Sequence, residues 1–299
     1  MKFIKKHPVL IIFWVVVLTY IFWNYLRPVN IYEKIDKESA HYNNDLYYSD
    51  GMAYEKLLKK SEQKLYLTMM SDINKNRVET KFEGPEFECD VFYPEGEFGC
   101  SKLVERVLDA LLVDHPELIQ WGAYSQIQIG EFQKVEYRYN IKSNAATLIQ
   151  TARMQRILED IKKKTKDLTP VEKIKYVYDW IGSRSEFEYK FTIAAKNQSA
   201  WDIFNKKTST SAGFAKASQI IFQNIGIESY LVMGYTTGNH MWNIIKVSDK
   251  YYYFDATYAA SIDKNSNNYY SGIGANIKSY ELNHPELYPV VTNEGDLVK

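Results

Sequence analysis

The stretch from Ser199 to Tyr258 decides how this chain is read. It opens S-A-W-D-I-F-N-K-K-T-S-T-S-A-G-F-A-K-A, runs through an apolar segment into N-I-G-I-E-S-Y-L-V-M-G-Y, and closes with G-N-H-M-W-N-I-I-K-V and Y-Y-Y-F-D-A-T-Y. Three polar residues stand out in it: Ser211, His240 and Asp255. Ala215, Ser218, Ile221 and Phe222 recur at helical spacing, which predicts that Ser211 sits at a helix N-terminus. Unpaired N–H groups and the positive end of the helix dipole favour an anion there and can form part of an oxyanion hole. Met241 to Val247 and Tyr251 to Phe254 alternate as strands around a polar turn, Ser248-Asp249-Lys250. Antiparallel pairing across that turn would bring His240 beside Asp255, as a base beside the carboxylate that orients it.

Four segments of the stretch, T-S-A-G-F-A, G-I-E-S-Y, H-M-W-N and Y-Y-F-D-A-T, stand in one order and spacing. In this they resemble the bacterial transglutaminase-like family, which has a papain-like Cys-His-Asp arrangement. The resemblance implies an α+β fold in which a helix-borne nucleophile position packs on an antiparallel sheet. It also implies that Ser211, His240 and Asp255 are the triad positions, with serine where the family has its cysteine. A thiol ionises readily and is ready to attack, whereas an alcohol must lose its proton to a base during attack. Serine therefore does not inherit the cysteine's activity, and the expectation is a degenerate site that binds without turnover. The alternative is an active Ser-His-Asp acyl transferase or amide hydrolase. An upstream oxyanion donor is expected by analogy, with Gln198 and Trp201 as candidates. Trp242 and Asn243 are expected to support the strand and the cleft wall. No metal or organic cofactor is implied.

Outside this stretch the chain begins K-F-I-K-K-H-P, followed by an uncharged run from Pro8 to Tyr25. About 20 such residues suffice to cross a bilayer as a helix. Lys2, Lys5 and Lys6 precede the run, which leaves the N-terminus in the cytoplasm and the bulk of the chain outside. The expected membrane contact is residues 8–26, an uncleaved single-pass anchor because no small-residue cleavage pattern follows it. Outside the cytoplasm, Cys89 and Cys100 are expected to form a local disulfide, the alternative being two free thiols. Neither has an adjacent histidine for a metal site.

Basic and acidic residues balance at 37 each, so composition gives no electrostatic case for nucleic acid, and the Lys162-Lys163-Lys164 run reads as a solvated helix end. The expected partners are peptide or protein chains at the cell surface or wall, by resemblance, and the bilayer. Residues 1–27 are read as cytoplasmic tip and anchor, and 28–50 as a stalk. Residues 51–168 are read as a smaller α+β domain and 169–299 as the transglutaminase-like domain. Within the former, Met52 to Asn74 reads as a helix, as does the segment from Leu103 to Leu112. The D-H-P-E-L-I-Q-W turn at Asp114, His115 and Glu117 follows and reads as structural. A hairpin over Tyr124 to Ile129 and Val135 to Ile141 comes next, then a long amphipathic helix from Ala145 to Lys166. Thr169 and Pro170 read as N-cap and first residue of the next helix. Residues 259–274 read as a surface loop and the C-terminal segment as a tie-down in which His284 has no visible partner.

Overall fold

The computed structural model describes residues 46–83, 101–129, 132–141, 143–189, 197–274, 280–291 and 297–298. The apolar run at 8–26, most of the expected stalk, and Cys89 and Cys100 lie outside the described residues. No described helix is long and apolar enough to cross a membrane.

Two antiparallel sheets organise the described residues. The smaller has the order β1-β3-β2, with β1 at Glu79–Glu83, β2 at Trp121–Ile129 and β3 at Phe132–Tyr139. The larger has the order β7-β6-β5-β4-β8, with β4 at Ser229–Tyr235, β5 at Asn239–Val247, β6 at Lys250–Phe254, β7 at Ile273–Gly274 and β8 at Glu281–Leu282. The expected β5–β6 hairpin is present, with Asn243 opposite Phe254 and Val247 opposite Lys250. Ser248, in the left-handed region at φ 54°, turns the chain between them.

Around the sheets lie α1 (Met52–Leu57), α2 (Lys60–Asn74), α3 (Ser101–Asp114), α4 (Asn144–Thr165), α5 (Pro170–Gly182), α6 (Ala200–Phe204), α7 (Ser211–Asn224) and α8 (Thr257–Ser261). Local chemistry sets several of their ends. Thr169 Oγ1 accepts the Glu172 N–H and the Glu172 carboxylate accepts the Thr169 N–H, a capping box that starts α5 with Pro170 at its first position. The helix expected over Met52 to Asn74 is two helices, because Leu58 is extended at φ −99° and ψ 136° and Lys59 N–H turns to the Glu62 carboxylate.

The larger sheet is the middle of three layers, and the alternation of β5 shows why. Trp242 and Ile244 pack with Val232 against Leu65, Met69, Val104 and Leu108 of α2 and α3. From the opposite face, Ile245 joins Phe254 and the α4, α5 and α7 residues Met154, Tyr178 and Phe222. The packing therefore does not divide at the boundary expected near Leu168. Helix α4 precedes that boundary and shares one core with α5 and α7, while α2 and α3 cover a sheet that follows it. Mixed helix and antiparallel sheet bear out the α+β class.

Three expectations about loops also change. The last residues assigned to the stalk are packed: Leu46 is 1% exposed and its carbonyl accepts from Asn224 Nδ2. Residues 259–274 are not a free surface loop, since they contain most of α8, a 3-10 turn at Tyr269–Gly272 and β7, and Tyr269 is buried with its carbonyl accepting from Tyr178 OH. His284 has a partner, with Nε2 lying 3.3 Å from Asp109 Oδ2.

Candidate active site

Ser211 is the first residue of α7, as its sequence predicts. The Gly213 and Phe214 N–H groups are taken by the Thr210 carbonyl, and those of Ser211 and Ala212 have no acceptor among the described residues. Close approach fixes this helix tip. A Cβ on Gly213 would lie 2.0 Å from Ser209 Oγ and 2.9 Å from the Ser199 carbonyl, so only glycine lets α7 pass the 199–209 segment at this distance.

The tip meets β5 one residue beyond the histidine: Ser211 Oγ accepts the Met241 N–H at 3.4 Å. His240 Nε2 lies 2.7 Å from Asp255 Oδ2, which joins the two strands as expected. No hydrogen bond joins Ser211 Oγ to the His240 ring among the described residues. Ser211 is buried and His240 is partly buried.

Asp255 is almost fully buried, and both of its oxygens are occupied. Oδ1 accepts the Thr257 N–H at 3.0 Å and the Thr257 hydroxyl at 2.6 Å, and Oδ2 accepts the Tyr280 hydroxyl in addition to facing His240. Burial by itself would raise this carboxyl. The hydrogen bond and charge of His240, with the hydroxyls of Thr257 and Tyr280, outweigh it and hold Asp255 below the ordinary carboxylate range. Burial and the Asp255 charge push the Tyr280 phenol far up, so it stays protonated and donates.

Tyr280 and Thr257 were not singled out in the sequence. Thr257 lay within the Y-Y-F-D-A-T segment and was legible there. Tyr280 sits in the C-terminal segment, and only the β4–β8 pairing brings it in, with Gly234 opposite Leu282. Its ring lies edge-on to Trp242 at 4.5 Å and stacks on Tyr253 at 5.4 Å, so aromatic rings wall the His–Asp pair.

The other candidates divide. Trp242 is fully buried and stacks at 6.0 Å on the His240 ring. Asn243, on the opposite face of β5, donates from Nδ2 to the Ala215 carbonyl and Gln219 Oε1, tying β5 to α7. Gln198 follows Asn197, whose carbonyl accepts the Thr210 N–H at 2.7 Å, so its backbone runs beside the start of α7. Trp201 belongs to the buried core behind α7 and is 7% exposed. Asp114, with its neighbours, is structural as expected: its carboxylate accepts the Ala53 and Tyr54 N–H groups at the start of α1, and burial pushes it up to about 6. One charge on α7 was overlooked. Lys216 is 5% exposed, and burial pushes it down to about 8 against the pull of Asp202 and Glu117.

A hydroxyl at a helix tip, next to a strand that carries a histidine held by a buried aspartate, defines a papain-like arrangement on an α+β scaffold. Residues 155–256 match the profile of the transglutaminase-like superfamily. Two solved structures are similar to parts of the chain. One is a candidate cysteine protease from Cytophaga hutchinsonii, at 11% identity and a TM-score of 0.30, matched over 45% of this chain and 61% of that one. The other is described as a TGase, at 14% identity and a TM-score of 0.35, matched over 59% of this chain and 51% of that one. The chain thus spans between half and two thirds of the length of each, and likeness at this level carries no argument about activity. No curated protein matches the chain.

Proposed function

We propose that this chain is a membrane-anchored, extracytoplasmic transglutaminase-like protein that binds peptide or protein chains at the cell surface or wall without turning them over. The observation that carries the reading is the missing link in the series: His240 is held by Asp255, but no hydrogen bond joins the Ser211 hydroxyl to His240. An alcohol without a base in contact has no route for its proton, and serine at the position where the resemblance implies a cysteine supports the same reading. The anchor rests on the apolar run after Lys2, Lys5 and Lys6.

The test uses the full chain in detergent micelles. No labelling by a fluorophosphonate probe, together with binding of a peptide library that is lost on His240→Ala while the fold is retained, supports a binding module. Peptides that fail to bind at all defeat it. Ser211→Cys protein that gains amidase or cross-linking activity would show that only the nucleophile is missing.

A second reading is favoured by the intact His240–Asp255 pair and the unpaired Ser211 and Ala212 N–H groups, which are the parts an acyl transfer requires. In it Ser211 Oγ attacks an amide carbonyl while His240 takes its proton and passes it to the leaving amine. The resulting ester is then cleaved by water or a second amine. Labelling by the probe, abolished by His240→Ala, would establish this reading instead.

A further inference from the structure

Residues 280–288 run from the candidate active site to the core under α2 and α3. At the near end the Tyr280 hydroxyl donates to Asp255 Oδ2, and the ring stands edge-on to His240 at 6.0 Å and to Trp242 at 4.5 Å. The next residues pair with β4 at two positions, Gly234 with Leu282 and Tyr235 with Glu281, and the Asn283 N–H donates to the Met233 carbonyl at 3.0 Å. At the far end Leu287 and Tyr288 are buried in the core that holds α2 and α3. Between the two ends Glu281, Asn283, Pro285 and Glu286 are exposed, so the segment lies on the surface there. A ladder of two pairs is short, and His284 is the side chain that ties this stretch to a helix.

Both nitrogens of the His284 ring face a carboxylate. Nε2 lies 3.3 Å from Asp109 Oδ2 on α3, and Nδ1 lies 3.6 Å from Glu286 Oε1. Asp109 is largely buried, and among the described residues no lysine or arginine stands within ion-pair distance of it. Arg106 on the same helix is committed to Glu62. Burial pushes the Asp109 carboxyl up, the hydrogen bond and charge of His284 draw it back, and the charge of Glu105 adds to the rise. On the other side the Tyr288 phenol, near Asp109 and Glu286, is pushed up by burial and stays neutral. Helix α1 packs on the turn at Pro285–Leu287 and carries Glu55 and Lys56. A neutral imidazole has one N–H to offer, whereas an imidazolium donates from both nitrogens and attracts both carboxylates by charge.

We infer that residues 280–288 form a strap over the His240–Asp255 pair, clasped to α3 by protonated His284 and loosened at the Tyr280 end when His284 loses its proton. Leu287 and Tyr288 keep the far end fixed, so the motion frees Tyr280 from Asp255 and uncovers the edge of β4 beside His240. The clasp is complete only while the imidazole is charged and Asp109 and Glu286 are ionised. Its grip is therefore lost as pH rises through the imidazole range, and lost again in acid once the carboxylates take up protons. The strap depends on where the His–Asp pair lies and not on whether Ser211 reacts or a peptide binds.

Hydrogen exchange of the full chain in detergent micelles tests the assignment, read by mass spectrometry on peptides from 280–288 and corrected for the intrinsic effect of pH on exchange. Protection of this segment is expected to fall about fivefold from pH 6 to pH 8, the worth of one charge pair in water. A peptide from β5 and β6 should keep its protection, which shows that the fold is intact. His284→Gln keeps a donor but takes up no proton, and Asp109→Asn removes the charge it faces. Each variant is expected to show the looser value at both pH values. Trp242 emission, identified by its loss in Trp242→Phe, reports whether the motion reaches Tyr280, and part of its response to pH should disappear in His284→Gln. Equal protection at pH 6 and pH 8 in the wild type, or a fall that persists in both variants, would overturn the inference. A strap that loosens while the Trp242 response is the same in wild type and His284→Gln would overturn it as well. No peptide ligand enters these measurements, so their outcome is separate from that of the binding test.

Discussion

The hydroxyl of Tyr280 donates to Asp255 Oδ2, the same oxygen that lies 2.7 Å from His240 Nε2. A residue from the end of the chain thereby completes the hydrogen bonding of a carboxylate whose other partners come from β5 and α8. Tyr280→Phe removes that donor and keeps the ring packing on Trp242 and Tyr253. A hydrogen bond to a charged group contributes about 1.5–3 kcal/mol. The urea midpoint of the variant at pH 7 is expected to fall accordingly, and an unchanged midpoint would show that the contact contributes nothing.

Asp255 also fixes the sign of an acid transition. Its folded pKa lies below the unfolded value of about 3.9, so the native state binds fewer protons in that window. Its contribution is complete above the unfolded value and is lost as pH falls through the folded one. Asp255→Asn protein should be less stable than wild type at neutral pH, and the gap should narrow at the acid end of a urea titration series. A constant gap from pH 7 to pH 2 would contradict this.

Lys216 acts at the other end of the scale. Folding lowers it to about 8 from an ordinary value near 10.4, so the native state holds fewer protons between those two pH values. Stability contributed at this position should therefore rise with pH across that window. The buried tyrosines drive the opposite trend once they begin to ionise in the unfolded chain, so the informative quantity is the difference between wild type and Lys216→Met. That difference is expected to move in favour of wild type from pH 8 to pH 10, and a flat difference would remove the lysine as its source.

Gly234 permits the arrangement that brings Tyr280 to the site. A Cβ there would lie 1.9 Å from the Glu281 carbonyl and 2.6 Å from Trp242 Cη2, so β8 must move. Gly234→Ala is expected to cost about 1–3 kcal/mol, as overpacking does, and to change Trp242 fluorescence. A variant with wild-type stability and spectrum would mean that β8 yields without consequence.

The helix tip at Ser211, the β5–β6 hairpin and the Thr169–Pro170 start of α5 were legible because each is fixed by residues close in sequence. Periodicity, a cap and a polar turn are local signals, and the pairing of His240 with Asp255 follows from one short hairpin. The break at Leu58 left no such mark, because the apolar positions run on through it.

By itself, then, the sequence determined the helix start at Ser211 and the hairpin that sets His240 beside Asp255, since these depend on period and spacing along neighbouring segments, while the α+β class came from the resemblance. Tertiary structure alone decided that α2 and α3 cover the same sheet whose other face packs on α4, α5 and α7. It alone brought Tyr280 to Asp255, and it left Ser211 on the Met241 N–H with no hydrogen bond to His240. The physical reason is that long-range packing is settled by which apolar faces meet and how closely backbones approach, as at Gly213 and Gly234, and neither is written in the order of residues along one segment.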